Sequence, residues 1–427
     1  MAAEHPAERS RLRELVSAAR LETTLVAAGA GAVVLHVLDD SFFQREPGTS
    51  AGDHLVGALV PAALFTGAAI AYPRLRAGAR AALAITLGLL GLVIGAVEPV
   101  VYGPKEGLSG DDFTGLLAAL GGLALVGTGT VTAWRSRRRD DRRAWRYSRR
   151  LLLGVGAALG ISVVLFPLAL SYGFTHVARV ETPRGDLGAP YAHVSFKASD
   201  GLRLDGWFVR PKNGATVIVY PGKKGTQRHA RMLVRHGFGV LVFDRRGEGA
   251  SEGDPNALGW SFDRDLLGAL TYLRSRDDVD PGHIGGLGLS VGGEALLQTA
   301  AESTALGAVV SDGAGSRSIR EDTIHVHARK LSDVVVSAVI TAGTALFSNR
   351  LPPPSLKTLA GRITAPVFFV YATHGAGGEE NNPEYFAAAR GPKQLWLIET
   401  THTHGLATRP HEYERRVVAF FRRELAD

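Results

Sequence analysis

Long apolar stretches at residues 54–72, 81–101, 113–134 and 151–174 carry a single carboxylate among them, Glu98, and a shorter one runs over residues 23–38. About 20 uncharged residues is the length a helix needs to cross a hydrocarbon core of about 30 Å. Backbone placed there must satisfy its own hydrogen bonds, which leaves the helix as the structure for such a stretch. The sequence therefore predicts a tail over residues 1–20 and an all-α bundle of about five transmembrane helices over residues 21–175. A cleavable signal peptide is the other reading of the first stretch, but further apolar spans follow it instead of a soluble chain.

Arginine and lysine set the expected orientation. The tail has Arg9, Arg11, Arg13 and Arg20, the second loop Arg74, Arg76 and Arg80, and the fourth loop, residues 135–150, nine arginines against Asp140 and Asp141. The first and third loops have only Arg45 and Lys105. Basic loops stay cytoplasmic. The tail is thus placed inside, and after an odd number of spans the rest of the chain emerges extracytoplasmically from the plasma membrane. The fourth loop's surplus equals the chain's net charge of +7, and no aromatic-interleaved basic face accompanies it. Nucleic-acid binding is not expected. The chain has no cysteine, which excludes disulfides, thiolate metal ligands and a cysteine nucleophile.

At the expected outer ends of the first spans stand His36, Asp39, Asp40, Asp53, His54 and, deeper, Glu98. Histidine with aspartate can bind a divalent metal, but near the water interface a capping or docking role suffices and is the stronger reading. No metal and no cofactor is expected.

From residue 190 the pattern changes to short alternating and buried strands separated by helical lengths, which implies a mostly parallel sheet with helices on both faces. Residues 191–197 and 202–211 read as a hairpin around Asp200-Gly201, and residues 215–220 and 239–244 as buried strands. Residues 283–289 lead into Gly288-Leu289-Ser290-Val291-Gly292, which fits the G-x-S-x-G nucleophile elbow. Small residues two before and two after the serine let a strand turn sharply into a helix and hold the hydroxyl above the sheet.

Four places together resemble the α/β-hydrolase superfamily, in its serine-aminopeptidase-like and dienelactone-hydrolase-like branch. They are the Gly206-Trp-Phe-Val-Arg-Pro211 strand, the Pro221-Gly222 turn, Asp244-Arg-Arg-Gly-Glu-Gly-Ala-Ser251 and the elbow; the resemblance covers about residues 190–425. It implies an α/β-hydrolase fold over residues 176–427, with Ser290 as nucleophile and the backbone N–H groups of Lys223 and Val291 as oxyanion hole. Pro221-Gly222 stands where the family usually has His-Gly. That turn contributes a backbone N–H, so the departure is mild.

A serine needs a histidine to take its proton and a carboxylate to fix the histidine's tautomer. Thr401-His-Thr-His-Gly405 offers two histidines, and the resemblance picks His402, with His404 in reserve. For the acid, the family usually places Asp shortly after the strand at residues 366–371. This chain has Ala372-Thr-His-Gly-Ala-Gly-Gly378 and then Glu379-Glu380. Glu380 is the first choice, since a longer arm on a longer loop reaches the same histidine; Glu379 and Asp312 are the alternatives.

Residues 317–362 interrupt the sheet pattern with an apolar run and Pro352-Pro-Pro354, and in this fold such an insertion forms a lid. His325 and His327 beside it receive no role. The expected protein is a membrane-anchored serine hydrolase that cleaves a carboxylic ester, acyl or peptide bond of a small or lipid-like substrate. An acyltransferase acting on envelope acceptors and a non-enzymatic sensor or scaffold are the rival readings.

Overall fold

The computed structural model describes residues 6–106, 110–136, 143–177, 179, 186–222, 226–322 and 331–425. The tip of the arginine-rich loop, Lys223, His325 and His327 lie outside them. The chain divides into two compact units. The first comprises Met1–Arg45, Ser50–Ala178 and Ala342–Asn349, and the second Glu46–Thr49, Arg179–Thr341 and Arg350–Asp427.

The first unit is helical. Five of its helical segments are long and apolar enough to cross a membrane: Ser17–Phe43, Ala51–Arg74, Ala77–Val101, Gly110–Arg135 and Tyr147–Thr175. The first is 27 residues, well beyond the short apolar stretch of the sequence. Ser17, Arg20 and Glu22 do not stop a helix as Pro or Gly would, and beyond Leu38 the helix continues through a π-helical turn, Asp39–Phe43. Glu22 is matched within the unit, accepting from the Tyr72 hydroxyl at 2.8 Å with the Arg80 guanidinium 3.5 Å away.

Small residues set the closest helix contact. A Cβ on Gly88 of helix Ala77–Ala96 would lie 2.7 Å from the Gly122 carbonyl of helix Gly110–Arg135, and one on Gly122 would lie 2.7 Å from the Gly88 carbonyl. Backbones approach this closely only where side chains vanish, a common device for helices packed in lipid.

The second unit is built on an eight-stranded sheet: β1 (Ala192–Lys197), β2 (Arg203–Val209), β3 (Thr216–Tyr220), β4 (Gly239–Phe243), β5 (Ile284–Leu289), β6 (Ala308–Asp312), β7 (Val367–His374) and β8 (Lys393–Thr401). Their order is β1-β2-β4-β3-β5-β6-β7-β8. The β1–β2 and β2–β4 pairs are antiparallel and all others parallel. Successive strand side chains point to opposite faces, and β3 shows the result. Ile218 and Tyr220 join one core with Leu266 of helix Phe262–Arg274 and Leu296 of helix Val291–Glu302. Val217 and Val219 join the other with Leu233 of helix Gln227–Arg235 and Phe421 of helix Pro410–Leu425. A strand covered on both faces reads as an unbroken apolar run, which is why it was visible in the sequence.

Between β6 and β7 lie the helices Ile319–Asp322, Leu331–Ser348 and Leu356–Ala360. The expected boundary at residue 176 is incomplete, because Ala342–Asn349 packs with the helical unit. There the Phe347 ring meets Tyr172 edge-on at 5.3 Å, and a Cβ on Gly343 would lie 2.6 Å from Ser171 Oγ. These apolar residues suit the helical unit as well as they would suit a lid.

The Asp244-to-Ser251 segment is structural. Arg246, buried behind β4, donates Nε to Asp265 Oδ1 at 2.8 Å and Nη1 to Asp200 Oδ2 at 2.9 Å, while the Tyr220 hydroxyl donates to Asp265 Oδ2 at 3.0 Å. Removing one partner of a buried pair leaves the other charge unmatched. Asp265→Ala is expected to cost about 3–5 kcal/mol of unfolding free energy in denaturant titration of the purified protein, against less than about 1 kcal/mol for Glu384→Ala, which breaks a partly exposed ion pair with Lys357 Nζ at 2.8 Å.

Candidate active site

The backbone turns at the end of β5. Ser290 has φ 54° and ψ −125°, a conformation L residues rarely adopt, and helix Val291–Glu302 starts at the next residue. The turn is held from both sides: Ser290 N–H donates to the Asp312 carbonyl at 2.8 Å, and a Cβ on Gly222 would lie 2.9 Å from Ser290 Cβ. Strain held this way by its surroundings is typical of a site whose geometry matters. The hydroxyl sits in front of a helix N-terminus, where negative charge is favoured.

His402 lies just past β8. Its Nε2 is 2.9 Å from Ser290 Oγ, and its Nδ1 makes a very short contact with Glu379 Oε1. The Glu379 side chain is 1% exposed and that of His402 32%, so the carboxylate is sealed from water while the imidazole keeps an open side. Glu379 Oε2 accepts the Ala372 N–H at 3.0 Å. Both carboxylate oxygens therefore have donors, without which a buried charge would not be tolerated. The same hydrogen bond raises the His402 pKa above its ordinary value, against the opposing effect of burial.

The structure thus places Glu379, not Glu380, on His402. Gly378, with φ 96°, opens a 3₁₀ turn, Glu379–Asn381, in which each residue is rotated about 120° from the last. One position of difference is enough to turn Glu379 inward and leave Glu380 exposed. Asp312 is also turned away from this contact: it is buried, accepts the Tyr413 hydroxyl at 2.7 Å, and burial pushes its carboxyl up to about 7. His404 is exposed, and its ring bonds the His402 carbonyl at 2.8 Å. Val291 is the first residue of the helix after Ser290.

Sequence reasoning missed the residues around Glu379. A Cβ on Gly313 would lie 2.6 Å from Glu379 Oε1 and 3.3 Å from His402 Cε1, so this position, at φ 78°, must be bare for the pair to close. Gly378 ahead of the two glutamates was the available signal for the turn that chooses between them.

In the helical unit His36 is buried and has two partners, Thr114 Oγ1 at 3.2 Å and the Ile94 carbonyl at 3.3 Å. Asp40, Glu98 and Asp111 bring carboxylate oxygens within 4.8 Å of one another, and His176 Nε2 is 3.9 Å from Asp40. This is the one group among the described residues with the spacing to hold a metal ion.

Among known families, the X-Pro dipeptidyl-peptidase (S15) profile matches residues 189–360. YfhR of Salmonella typhi is 30% identical over 227 residues, 50% of this chain and 75% of that protein. The α/β hydrolase domain-containing protein WAV2 of Arabidopsis thaliana is 33% identical over 111 residues, 24% of this chain and 35% of that protein. Among solved structures, the Pyrococcus furiosus esterase Pf2001 is similar with a TM-score of 0.47 and 20% identity, over 59% of this chain and 97% of that one. The chain belongs to the α/β-hydrolase superfamily, in the same family as YfhR, and is a serine hydrolase.

The geometry makes a titration prediction. Nuclear magnetic resonance of the His402 ring should give a pKa above the ordinary histidine value, because the Glu379 carboxylate stabilises the imidazolium. In Glu379→Gln that attraction is gone, so the His402 pKa should fall. An unchanged titration would mean that Glu379 does not hold the imidazole in solution.

Proposed function

We propose that Ser290, His402 and Glu379 form the catalytic triad of a membrane-anchored hydrolase that works through an acyl-enzyme. The observation carrying this reading is the continuous line from Ser290 Oγ through both nitrogens of His402 to a fully buried carboxylate. His402 Nε2 takes the hydroxyl proton as Ser290 attacks the substrate carbonyl. Glu379 keeps the other proton on Nδ1 and balances the imidazolium that forms. Oxygen charge in the tetrahedral intermediate falls to the Val291 N–H at the helix N-terminus and to a second backbone N–H, assigned to Lys223. His402 then returns its proton to the leaving alcohol or amine, and water, activated by the same imidazole, releases the acid.

Five helices of spanning length support anchoring in a lipid bilayer, and the arginine distribution supports an extracytoplasmic hydrolase unit. We take the substrate to be a small or lipid-like acyl compound.

Hydrolysis of short acyl esters by the purified chain tests the triad. Ser290→Ala should lower turnover by about 10³-fold or more, and Glu379→Gln by about 10²–10⁴-fold with little change in KM. Glu380→Gln should remain within about tenfold of wild type. Loss in Glu380→Gln with Glu379→Gln unaffected would overturn the assignment.

Orientation is tested separately. A reporter active only outside the cytoplasm should give signal when fused after Asp427 and none when inserted between Arg139 and Asp140. The reverse pair of signals would invert the topology.

A further inference from the structure

The acid stands on a loop of glycines, which is a poor way to fix a carboxylate to a fraction of an ångström. Two residues in this loop, Gly377 and Gly378, have positive φ, and Gly375 is bare because a Cβ there would fall on Glu379 Oε2. Such a segment has wide conformational freedom of its own. Something outside it must define where Glu379 sits.

The structure assigns this work to Asn382, as a positioning residue that ties the acid loop to the segment following β6. Asn382 is fully buried at the start of helix Asn382–Ala388. Its Nδ2 donates to the carbonyl of Glu379 itself at 2.9 Å and to the Ala314 carbonyl at 2.7 Å. Ala314 follows Gly313, at which a Cβ would crowd Glu379 Oε1 and His402 Cε1. One amide therefore joins the acid's own backbone to the surface against which its carboxylate rests. Its Oδ1 has no hydrogen-bond partner among the described residues. A buried orphan acceptor is destabilising, so stability alone does not favour an amide here, whereas its donor side is fully used.

The remaining bonds carry the tie to the nucleophile. Ser316 N–H donates to the Gly377 carbonyl at 2.7 Å, Asn381 Nδ2 to Ser316 Oγ at 2.9 Å, and the Tyr385 hydroxyl to the Gly315 carbonyl at 3.0 Å. Gly315 N–H in turn donates at 3.1 Å to Glu294 Oε1, and Glu294 lies one turn beyond Ser290 on the same helix, its N–H on the Ser290 carbonyl at 3.1 Å. Glu294 is held by Arg317, whose Nη1 also donates to Gln298 at 2.7 Å. Nucleophile and acid, far apart in sequence, are thus referred to a common segment, residues 313–317.

This inference rests on Glu379 being the acid of the triad, and its test separates the two. The charged groups that face His402 are Glu379, Asp312 on β6 and Glu294 on helix Val291–Glu302. Asn382 is neutral, so replacing it changes the His402 titration by moving one of them or by letting water reach the ring, and the second would raise the pKa instead. Asn382→Ala should lower kcat for ester hydrolysis by about 10–100-fold with KM within about threefold, the scale of losing a small displacement in a reacting pair. In the same variant the acidic limb of the kcat/KM profile should move to lower pH, because a displaced Glu379 stabilises the imidazolium less. Simple destabilisation would lower the amount of active enzyme without moving that limb. Rates are referred to folded protein measured by circular dichroism, with Glu379→Gln run alongside. Asn382→Ser, which keeps one donor in the same space, covers the case in which the alanine variant does not accumulate, and should fall between alanine and wild type. Collapse in Glu379→Gln with an unmoved pH limb and near-normal kcat in the Asn382 variants would overturn the positioning role and leave the triad standing. An unaffected Glu379→Gln would overturn both.

Discussion

A carboxylate inside a protein must have a donor for each oxygen or it stops being a carboxylate. In the hydrolase unit Glu379 meets that condition with the Ala372 N–H on one oxygen and the His402 ring on the other. The rest of the site follows from it. The ring that completes the shell of Glu379 is turned so that its second nitrogen faces Ser290, and the hydroxyl is there to meet it because the β5-to-helix turn holds Ser290 at an unfavourable φ. Burial of the acid and partial exposure of the imidazole divide the labour: one end of the line is dry and fixed, the other reachable by substrate.

How much of this could be read from the sequence depends on whether a feature is encoded locally. The elbow is, since Gly288, Ser290 and Gly292 impose strand, turn and helix within five residues. The parallel sheet is nearly so, because strands buried on both faces, such as β3 and β4, leave unbroken apolar runs. The short segment after the last strand offered His402 and His404, and the family resemblance chose between them. The acid was harder: Glu379 and Glu380 are the same residue type at adjacent positions, and the phase of a 3₁₀ turn decides which one faces the histidine. That phase is set by Gly378 and by contacts with residues 313–316, some 60 positions earlier, which no local pattern contains. Likewise the apolar run after residue 331 reads alike as a lid or as part of a helical bundle, and packing around Tyr172 and Ser171 draws its second half into the helical unit.

The two units solve different problems with the same small residue. In the helical unit Gly88 and Gly122 bring backbones together, as small residues do between helices that pack in lipid. In the hydrolase unit Gly222 and Gly313 clear space beside Ser290, Glu379 and His402, so their value is geometric and local. The buried Arg246–Asp265 pair, extended to Asp200 at the surface, shows a third use of burial, in which charge takes the place of an apolar contact.

We propose that Ser290 is a nucleophile made reactive by His402. This is tested most directly by treating the purified full chain with a fluorophosphonate and mapping the adduct by peptide mass spectrometry. One phosphonyl group is expected, on Ser290, formed rapidly in the native enzyme and lost in His402→Ala. Labelling on any other residue, or equally rapid labelling of Ser290 in His402→Ala, would contradict it.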